Sequence, residues 1–398
     1  MKKAQGTRVH RSFSEGGGRR AQGEGQGILF LLVVLCAGVI FSSGCSKDDF
    51  PVTEDNDAVG EIQMNTLFNI IEISDGFIVS GVSDSKIKIS KLDANFNTLW
   101  SKNDFEWGEI FSEGGWGGAF YSVDIVNAVE KGNGNIILFC SIMEGTDVML
   151  HSALIVRLDR SGKELYRKEM DQYMLINASA TDDDKYLLFG SSLIRLNSDF
   201  STAWENDDHN YVFSGANAIQ TGDNGFAVTG TLNSQQVLLQ KLDENGIIQW
   251  TKSNFNPYPF NDLGYDLHQL SDNGFIITGR TRNINEPWDM NCFIIRTESS
   301  GDTLWTRKYG EGSDEWFEEI LYASDDEFVI RRTVGFPNDT ERKAFLMSIT
   351  GDGEISESGE ININDNFLWT SSGYFVRAQK EGDRIISLSK VQLENLFD

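Results

Sequence analysis

Residues that commonly carry out catalysis are few and widely separated in this chain of 398 residues. Beyond the hydrophobic N-terminal segment there are three histidines, at His151, His209 and His268, about 60 residues apart. Zinc sites and metal-dependent hydrolases use closely spaced His, Cys or carboxylate ligands, and no such pair occurs. The chain also lacks a G-x-S-x-G sequence and a phosphate-binding P-loop. We therefore predict no catalytic residue, no metal and no cofactor.

Other polar and thiol-bearing residues are better interpreted as structural. The acidic clusters TDDDK (181–185) and NDDHN (206–210) offer oxygen ligands, but they lack the Asp-x-Asp-x-Asp-Gly spacing of a calcium loop. We interpret both clusters as turns. Cys140 and Cys292 each lie inside a strand-like apolar run, which favours small buried side chains over a disulfide or a metal site.

A different chemistry, stacking on a ligand, is suggested by aromatic residues in Asn- and Asp-rich insertions. The four candidates for ligand binding are Trp107, Trp116, Tyr258 and Trp288. Aromatic rings in such segments suit sugar rings or an anchoring contact with a protein partner. We expect these rings to be partly exposed on one face of the molecule. The alternative is that they fold back and pack locally.

The elements that position these insertions are internal repeats. KLDENGIIQW (241–250) nearly recurs at 91–100, 157–166, 195–204 and 296–305. A second phrase, as in SDNGFIITG, recurs seven times, with its aligned apolar position at Phe77, Ile136, Tyr186, Phe226, Phe275, Phe328 and Tyr374. Four short strands joined by Asp/Asn-Gly turns in each unit of about 50 residues are typical of a propeller blade. The sequence predicts an all-β, seven-bladed β-propeller of four-stranded antiparallel blades.

The same alignment predicts how the blades pack and how the ring closes. An aromatic residue ends four of the turn phrases, at Trp100, Trp204, Trp250 and Trp305, and Tyr166 takes this place in the second unit. We expect it to wedge between neighbouring blades. The seventh unit lacks a fourth strand, so we expect residues 59–64 to complete it, because closure removes the exposed sheet edges.

The lengths of the connections between strands differ between the two faces of the predicted ring. The turns that join strands one and two, and strands three and four, stay short. The insertions fall between strands two and three or between one blade and the next, and these two classes of connection emerge on one face. Such a face is typical of a scaffold that carries a binding surface.

The N-terminal region predicts an export signal. Residues 28–41 form an apolar run too short to span a bilayer but suited to a signal peptide. We divide the chain into a lipoprotein signal peptide at 1–44, an acidic flexible tether at 45–58 and the propeller at 59–398. Residues 1–44 hold six Lys/Arg and two Asp/Glu, or +4, so the other residues carry −30 of the net −26. Such a negative surface disfavours nucleic acid as a partner.

SSGCSKDD (42–49) resembles the lipobox of bacterial lipoproteins, with Ser42 where leucine is usual. The resemblance implies lipid attachment at Cys45. SKDD also resembles the surface-export signal of lipoproteins from the Bacteroidota, whose extracellular propeller repeats are similar to those of residues 59–396. This family implies a propeller protein at the surface of the outer membrane and says little about activity. Together with the aromatic insertions, we expect a non-enzymatic module that binds a glycan or a protein. The alternatives are a periplasm-facing scaffold for outer-membrane assembly and, on a looser likeness, a quinoprotein-like enzyme.

Overall fold

The computed structural model describes residues 60–107, 111–112, 120–145, 149–207, 211–232, 236–253, 255, 262–282, 290–310, 314–335, 342–382 and 384–397. These residues form 29 strands in seven antiparallel sheets. We call the sheets blades 1 to 7, in the order in which their innermost strands occur along the chain.

The first half of the described chain contains three blades and one strand that precedes them. The preceding strand is β1 (Gly60–Gln63). Blade 1 consists of β2 (Thr66–Ile73), β3 (Gly76–Ser83), β4 (Lys86–Asp93) and β5 (Thr98–Lys102). Blade 2 consists of β6 (Phe111–Ser112), β7 (Phe120–Glu130), β8 (Ile136–Gly145), β9 (Met149–Leu158) and β10 (Glu164–Asp171). Blade 3 consists of β11 (Leu175–Ala180), β12 (Tyr186–Gly190), β13 (Leu193–Leu196) and β14 (Thr202–Asn206).

The second half contains four blades. Blade 4 consists of β15 (Tyr211–Gln220), β16 (Phe226–Leu232), β17 (Gln236–Leu242) and β18 (Ile248–Lys252). Blade 5 consists of β19 (Leu263–Gln269), β20 (Phe275–Arg282), β21 (Met290–Thr297) and β22 (Thr303–Tyr309). Blade 6 consists of β23 (Glu315–Ala323), β24 (Glu327–Val334), β25 (Lys343–Thr350) and β26 (Ile355–Ile361). Blade 7 contains β27 (Asn366–Trp369), β28 (Phe375–Glu381) and β29 (Ile385–Val391), and a 3-10 turn follows at Leu393–Asn395.

The blades surround an axis as a closed ring. The innermost strand of each blade contacts the innermost strands of both neighbours, in the order β2, β7, β11, β15, β19, β23 and β27, and β27 contacts β2. The second and third strands are largely buried, whereas fourth strands such as β5 and β14 alternate between half-buried and exposed residues. Apolar clusters fill the interfaces between neighbouring blades. The predicted seven-bladed, all-β propeller is confirmed.

The N-terminal strand closes this ring. Strand β1 pairs antiparallel with β29 from Gly60 opposite Leu388 to Gln63 opposite Ile385, so it becomes the outermost strand of blade 7. Ile62 and Met64 are 4% and 1% exposed and belong to an apolar cluster that joins residues of blade 7 to residues of blade 1. The prediction that this segment completes the last blade is confirmed.

The recurring phrase is the turn between the third and fourth strands. In blade 4, the Asp243 carboxylate accepts hydrogen bonds from the backbone N–H groups of Asn245 and Ile247, each at 2.9 Å. Gly246 follows with φ +77°, a left-handed conformation that glycine adopts without strain. This local chemistry forces the chain to reverse, which explains why the phrase is repeated.

The aromatic residue that ends the phrase contacts the corresponding turn of the next blade. The Trp204 indole N–H donates to the carbonyl oxygen of Glu244 at 3.1 Å, and its ring lies against Gly246. Trp100 makes the same contact with the blade 2 turn, donating to the Arg160 carbonyl at 2.9 Å. The prediction that these residues wedge between blades is therefore confirmed for both indoles.

One blade is larger than the repeat predicts. In blade 2, the two-residue strand β6 pairs with β7 on the side opposite β8, so the sheet has five strands. Strand β6 comes from the insertion between blades 1 and 2 and pairs only with Phe120 and Tyr121, at the start of β7.

Candidate binding face

The antiparallel blades give the ring two unlike faces. Turns between first and second strands, and between third and fourth strands, lie on one face, which we call the turn face. Connections between second and third strands, and those that lead to the next blade, lie on the other, which we call the loop face. The predicted division into a plain face and an elaborated face follows from this strand order.

Repeated ion pairs fix the turn face. In four blades, a buried cation on the third strand pairs with an aspartate of the first turn: Asp75 with Lys91, Asp183 with Arg195, Asp223 with Lys241 and Asp272 with Arg296, at 2.6 to 2.9 Å. Burial opposes ionisation of Asp223, but hydrogen bonds from Thr221 and Lys241 outweigh it and hold the pKa of the carboxyl below its usual range. The Asp223 carboxylate therefore stays ionised beside the Lys241 ammonium.

A second set of contacts joins the blades around the turn face. The Lys91 ammonium also donates to Glu130 of blade 2 at 2.7 Å. Glu72 of blade 1 accepts from the backbone N–H of Ser371 in blade 7 at 2.8 Å. Gln269 of blade 5 likewise accepts from a backbone N–H in the first turn of blade 4. These residues hold one blade to the next.

A buried row of amides and one carboxylate runs along the innermost strands, and sequence reasoning missed it. The interblade hydrogen bonds are Asn69 to the Val126 carbonyl, Asn127 to the Ala178 carbonyl, Asn177 to Asn217, and Asn217 to Asp266. Each of these side chains follows a β-bulge in its strand. The available signal was an Asn or Asp three residues before a Glu or Gln, as in NIIE, NAVE, NAIQ and DLHQ.

Asp266 lies at one end of this row. Its carboxylate accepts from the Asn217 amide at 2.5 Å, from the Ile320 backbone N–H at 2.8 Å and from the Leu267 backbone N–H at 2.8 Å. Burial raises the pKa of Asp266, and these three donors oppose that rise. The carboxylate therefore links three successive blades, 4, 5 and 6, and its hydrogen bonds fit a structural role.

The structure corrects one expectation for the candidate aromatic residues. Trp107 was expected to be partly exposed, but it is 6% exposed and belongs to the apolar cluster between blades 1 and 2. Its ring stacks on Phe105 with centroids 4.9 Å apart, and its indole N–H donates to Glu164 at 3.0 Å. The insertion folds back because this position buries a large ring and satisfies its one polar atom.

The other predicted site residues fall outside the described residues. Trp116, Tyr258 and Trp288 lie there, as does Cys45. The two strand cysteines do lie within the described ranges, and both Cys140 and Cys292 are fully buried, as predicted. Burial raises the pKa of both thiols, so they behave as apolar groups.

A narrow cleft opens on the loop face between blades 4 and 5. Its lining includes Gln236, Ser253, Phe255, Asp262, Phe293, Thr306 and Lys308. The Thr306 hydroxyl donates to the carbonyl oxygen of Phe255 at 3.4 Å and so joins Phe255 to the outer strand of blade 5. Asp262 is among the residues that line the cleft, but only 2% of its surface is exposed. We call this feature the blade 4–5 cleft.

Within the ranges that the structure describes, no three His, Cys, Asp or Glu side chains lie close enough together to hold a metal ion. The same residues contain no helix whose length and hydrophobicity would let it span a bilayer.

Comparisons with known proteins give similarity to solved structures alone. No family model matches the chain, and no curated protein matches it. BamB from Moraxella catarrhalis is 12% identical with a TM-score of 0.43, over 83% of this chain and 98% of that one. BBS1N, solved in complex with ARL6DN, is 8% identical with a TM-score of 0.46, over 86% of this chain and 97% of that one. Neither likeness says what this chain binds.

Proposed function

We propose that this protein is a non-enzymatic binding module, held at the outer surface of the outer membrane by lipid on Cys45. Its loop face binds a glycan or a protein ligand. The propeller is the rigid frame, and the connections between strands two and three and between blades supply the contacts. Trp116, Tyr258 and Trp288 are the candidate ligand-binding residues.

The observation that supports this proposal is the difference between the two faces. On the turn face, aspartates in the turns between first and second strands, such as Asp223, pair with buried cations. Indoles such as that of Trp204 join one blade to the turn of the next. Changes there disturb the frame. The loop face carries the insertions in the sequence and, between blades 4 and 5, a cleft lined by polar side chains. Binding residues on a propeller are more easily varied in loops whose side chains do not hold the blades together.

A loop exchange tests the binding role. Detergent-purified full-length protein is compared with a variant in which residues 283–289, between β20 and β21, are replaced by a short Asn-Gly hairpin. We expect binding to a glycan array to be lost or reduced at least tenfold while the melting temperature is retained. The control replaces Asn95, whose side chain is exposed in the turn between β4 and β5, by glycine, and this variant should bind like the unchanged protein. Equal binding by the loop-exchange variant would contradict the proposal for this connection.

Protease treatment of intact cells tests the orientation. A surface protein is cleaved, whereas a periplasm-facing scaffold is protected until the outer membrane is permeabilised. Protection in intact cells would reject surface display and favour the scaffold alternative. Mass spectrometry of the mature chain tests Cys45 separately, because a lipoprotein begins with an acylated cysteine.

A further inference from the structure

We infer that the outer groove between blades 6 and 7 is a docking groove for a short apolar turn, and that residues 393–397 of this chain are its releasable occupant. We call these residues the strap. The inference is independent of the proposed ligand-binding role, because it concerns the turn face and the outer strands rather than the loop face. It is carried by the strand register of blade 6 and by the packing of the strap.

Blade 6 lacks the aromatic residue that joins each of blades 1 to 5 to the next blade. In blade 4, Trp250 lies opposite Lys241 of the third strand, and the equivalent pair in blade 6 is Glu357 opposite Ser348. Glu357 is exposed. The outer strand of blade 6 therefore supplies no aromatic ring to the junction with blade 7.

A second side chain is missing from the same face of this outer strand. Residues two apart along a strand point to one face, so the next position on this face lies two residues after the aromatic position. In blades 1 to 5 it carries a long or polar side chain: Lys102, Lys168, Asn206, Lys252 and Arg307. The equivalent residue of blade 6 is Gly359, opposite Leu346. Both differences leave room on the side of blade 6 that faces blade 7.

The strap lies in the room that these differences leave. Strand β29 ends at the turn face, and no tight turn follows it, because the fourth strand of blade 7 is β1. The chain after β29 is therefore free to reach blade 6. A Cβ built on Gly359 would lie 3.7 Å from the Phe397 ring, an ordinary van der Waals distance.

The strap has one apolar side and one polar side. Leu393, Leu396 and Phe397 pack against the apolar cluster between blades 6 and 7. Glu394 and Asn395, between them, are exposed. A short turn with apolar residues at its first, fourth and fifth positions is therefore the kind of segment that the groove takes.

Apolar contact holds the strap in place. Within the described residues, its hydrogen bonds join backbone groups of its own turn: the Asn395 N–H donates to the Gln392 carbonyl at 3.1 Å, and the Leu396 N–H donates to the Leu393 carbonyl at 3.2 Å. Its three apolar side chains are only partly buried. Segments with few buried contacts open locally at low free energy. Since β1 pairs with β29 rather than with the strap, release of the strap leaves the ring closed.

A double-mutant cycle on the full-length protein, followed by thermal melting, tests the docking contact. Phe397→Ala should lower the melting temperature by a few degrees. Glu357→Trp combined with Gly359→Lys, which we call the filled-groove variant, gives blade 6 the residue types of Trp250 and Lys252 and should displace the strap. In that variant, Phe397→Ala should cause no further loss, because residues that no longer touch do not couple. No loss in the unchanged protein, or equal losses in both backgrounds, would overturn the inference.

The control for Phe397→Ala lies in the strap itself. Glu394→Ala removes an exposed side chain from the same turn, so this variant should melt like the unchanged protein. A loss equal to that of Phe397→Ala would mean that the turn, and not its apolar side, contributes the stability, and would also overturn the docking assignment.

Hydrogen exchange followed by mass spectrometry gives a second readout, which a merely structural contact elsewhere would not change. In the filled-groove variant, backbone amides of residues 392–397 should exchange about tenfold faster or more, whereas those of β1 and β29 keep their protection. Unchanged protection of the strap in this variant would mean that it does not dock in this groove.

Protein concentration separates the strap of this chain from that of a second copy. A strap docked in its own chain keeps the same exchange protection at every protein concentration, which is the expected result. Protection that rises with concentration, together with dimers in light scattering, would overturn the assignment to the same chain and indicate exchange of straps between copies.

Discussion

The surroundings of Trp107 illustrate how a single aromatic residue is assigned to packing or to binding. Its ring lies in the cluster between blades 1 and 2, and Glu164 accepts its indole hydrogen. Trp107→Ala should therefore destabilise the fold by about 3–5 kcal/mol, the usual cost of truncating a buried Trp. Calorimetry should show a melting temperature lower by several degrees. Unchanged melting would mean that the ring is dispensable to the core.

Trp288 provides the contrast, because it remains a candidate for ligand contact. If it binds by stacking, Trp288→Ala should cost binding on the order of 1–3 kcal/mol and leave the melting temperature nearly unchanged. If it packs as Trp107 does, the pattern is reversed. A thermal melt of the Trp288→Ala variant separates the two roles before any ligand is identified.

The turn-face carboxylates predict an acid-sensitive fold. Hydrogen bonds from Thr221 and Lys241 hold the pKa of Asp223 below its unfolded value despite burial. Its stabilising effect is therefore present above the unfolded pKa, about 3.9, and is lost as pH falls through the lower folded pKa. Asp223→Asn should lower stability at neutral pH and flatten the decline below about pH 4. Denaturant unfolding at a series of pH values measures this.

A surface aspartate provides the control for that measurement. Asp326→Asn changes an exposed side chain in the equivalent turn of blade 6. It should leave both the neutral-pH stability and the acid decline close to those of the unchanged protein. Similar profiles for the Asp223 and Asp326 variants would contradict the role given to the Asp223–Lys241 pair.

At the scale of the element, the blade turn and the neighbouring aromatic residue depend on each other. Gly246 has φ +77°, and a Cβ built on it would lie 2.7 Å from the Trp204 ring. Gly246→Ala should therefore cost about 1–2 kcal/mol for the left-handed backbone, and more for the displaced indole. Denaturant unfolding measures the total loss of stability.

Two other glycines separate these contributions. Gly373 has φ +81° with nothing within 4 Å of an added Cβ, so its alanine variant should show the backbone cost alone. Gly132 has open space and no such φ, so its alanine variant should be nearly neutral. The expected order of destabilisation is Gly246, Gly373, Gly132. Equal losses at Gly246 and Gly373 would mean that the indole contact contributes nothing.

Elements whose causes are local could be predicted from the sequence. The turn phrase contains its own hydrogen bonds, as Asp243 shows, and the ring follows from repeating it. The buried row of Asn69, Asn127, Asn217 and Asp266 could not be predicted in this way, because each partner lies in another blade. The burial of Trp107 depends on its near neighbour Phe105 and also on Glu164, which is 57 residues away in the next blade. A repeat pattern predicts contacts inside one blade, but it does not predict contacts between side chains of different blades.

At the scale of the whole molecule, ring closure depends on a strand of four residues. Strand β1 covers the edge of β29, and Ile62 and Met64 fill the cluster between the last and first blades. In the proposed lipoprotein, the residues between Cys45 and β1 join the lipid anchor to the strand that closes the ring.

Deletion of residues 46–64 tests this closure. Without β1, the edge of β29 is unpaired and can pair with another chain, and the cluster between blades 7 and 1 loses two buried side chains. We expect a lower melting temperature and concentration-dependent aggregation, measured by calorimetry and light scattering. Deletion of residues 46–58 alone is the matched control. It removes the predicted tether after Cys45 and keeps β1, so the melting temperature should be unchanged. If both deletions melt like the intact protein, β1 is not needed for the ring, and blade 7 is stable with three strands. If both melt lower by the same amount, the tether rather than β1 supports the fold.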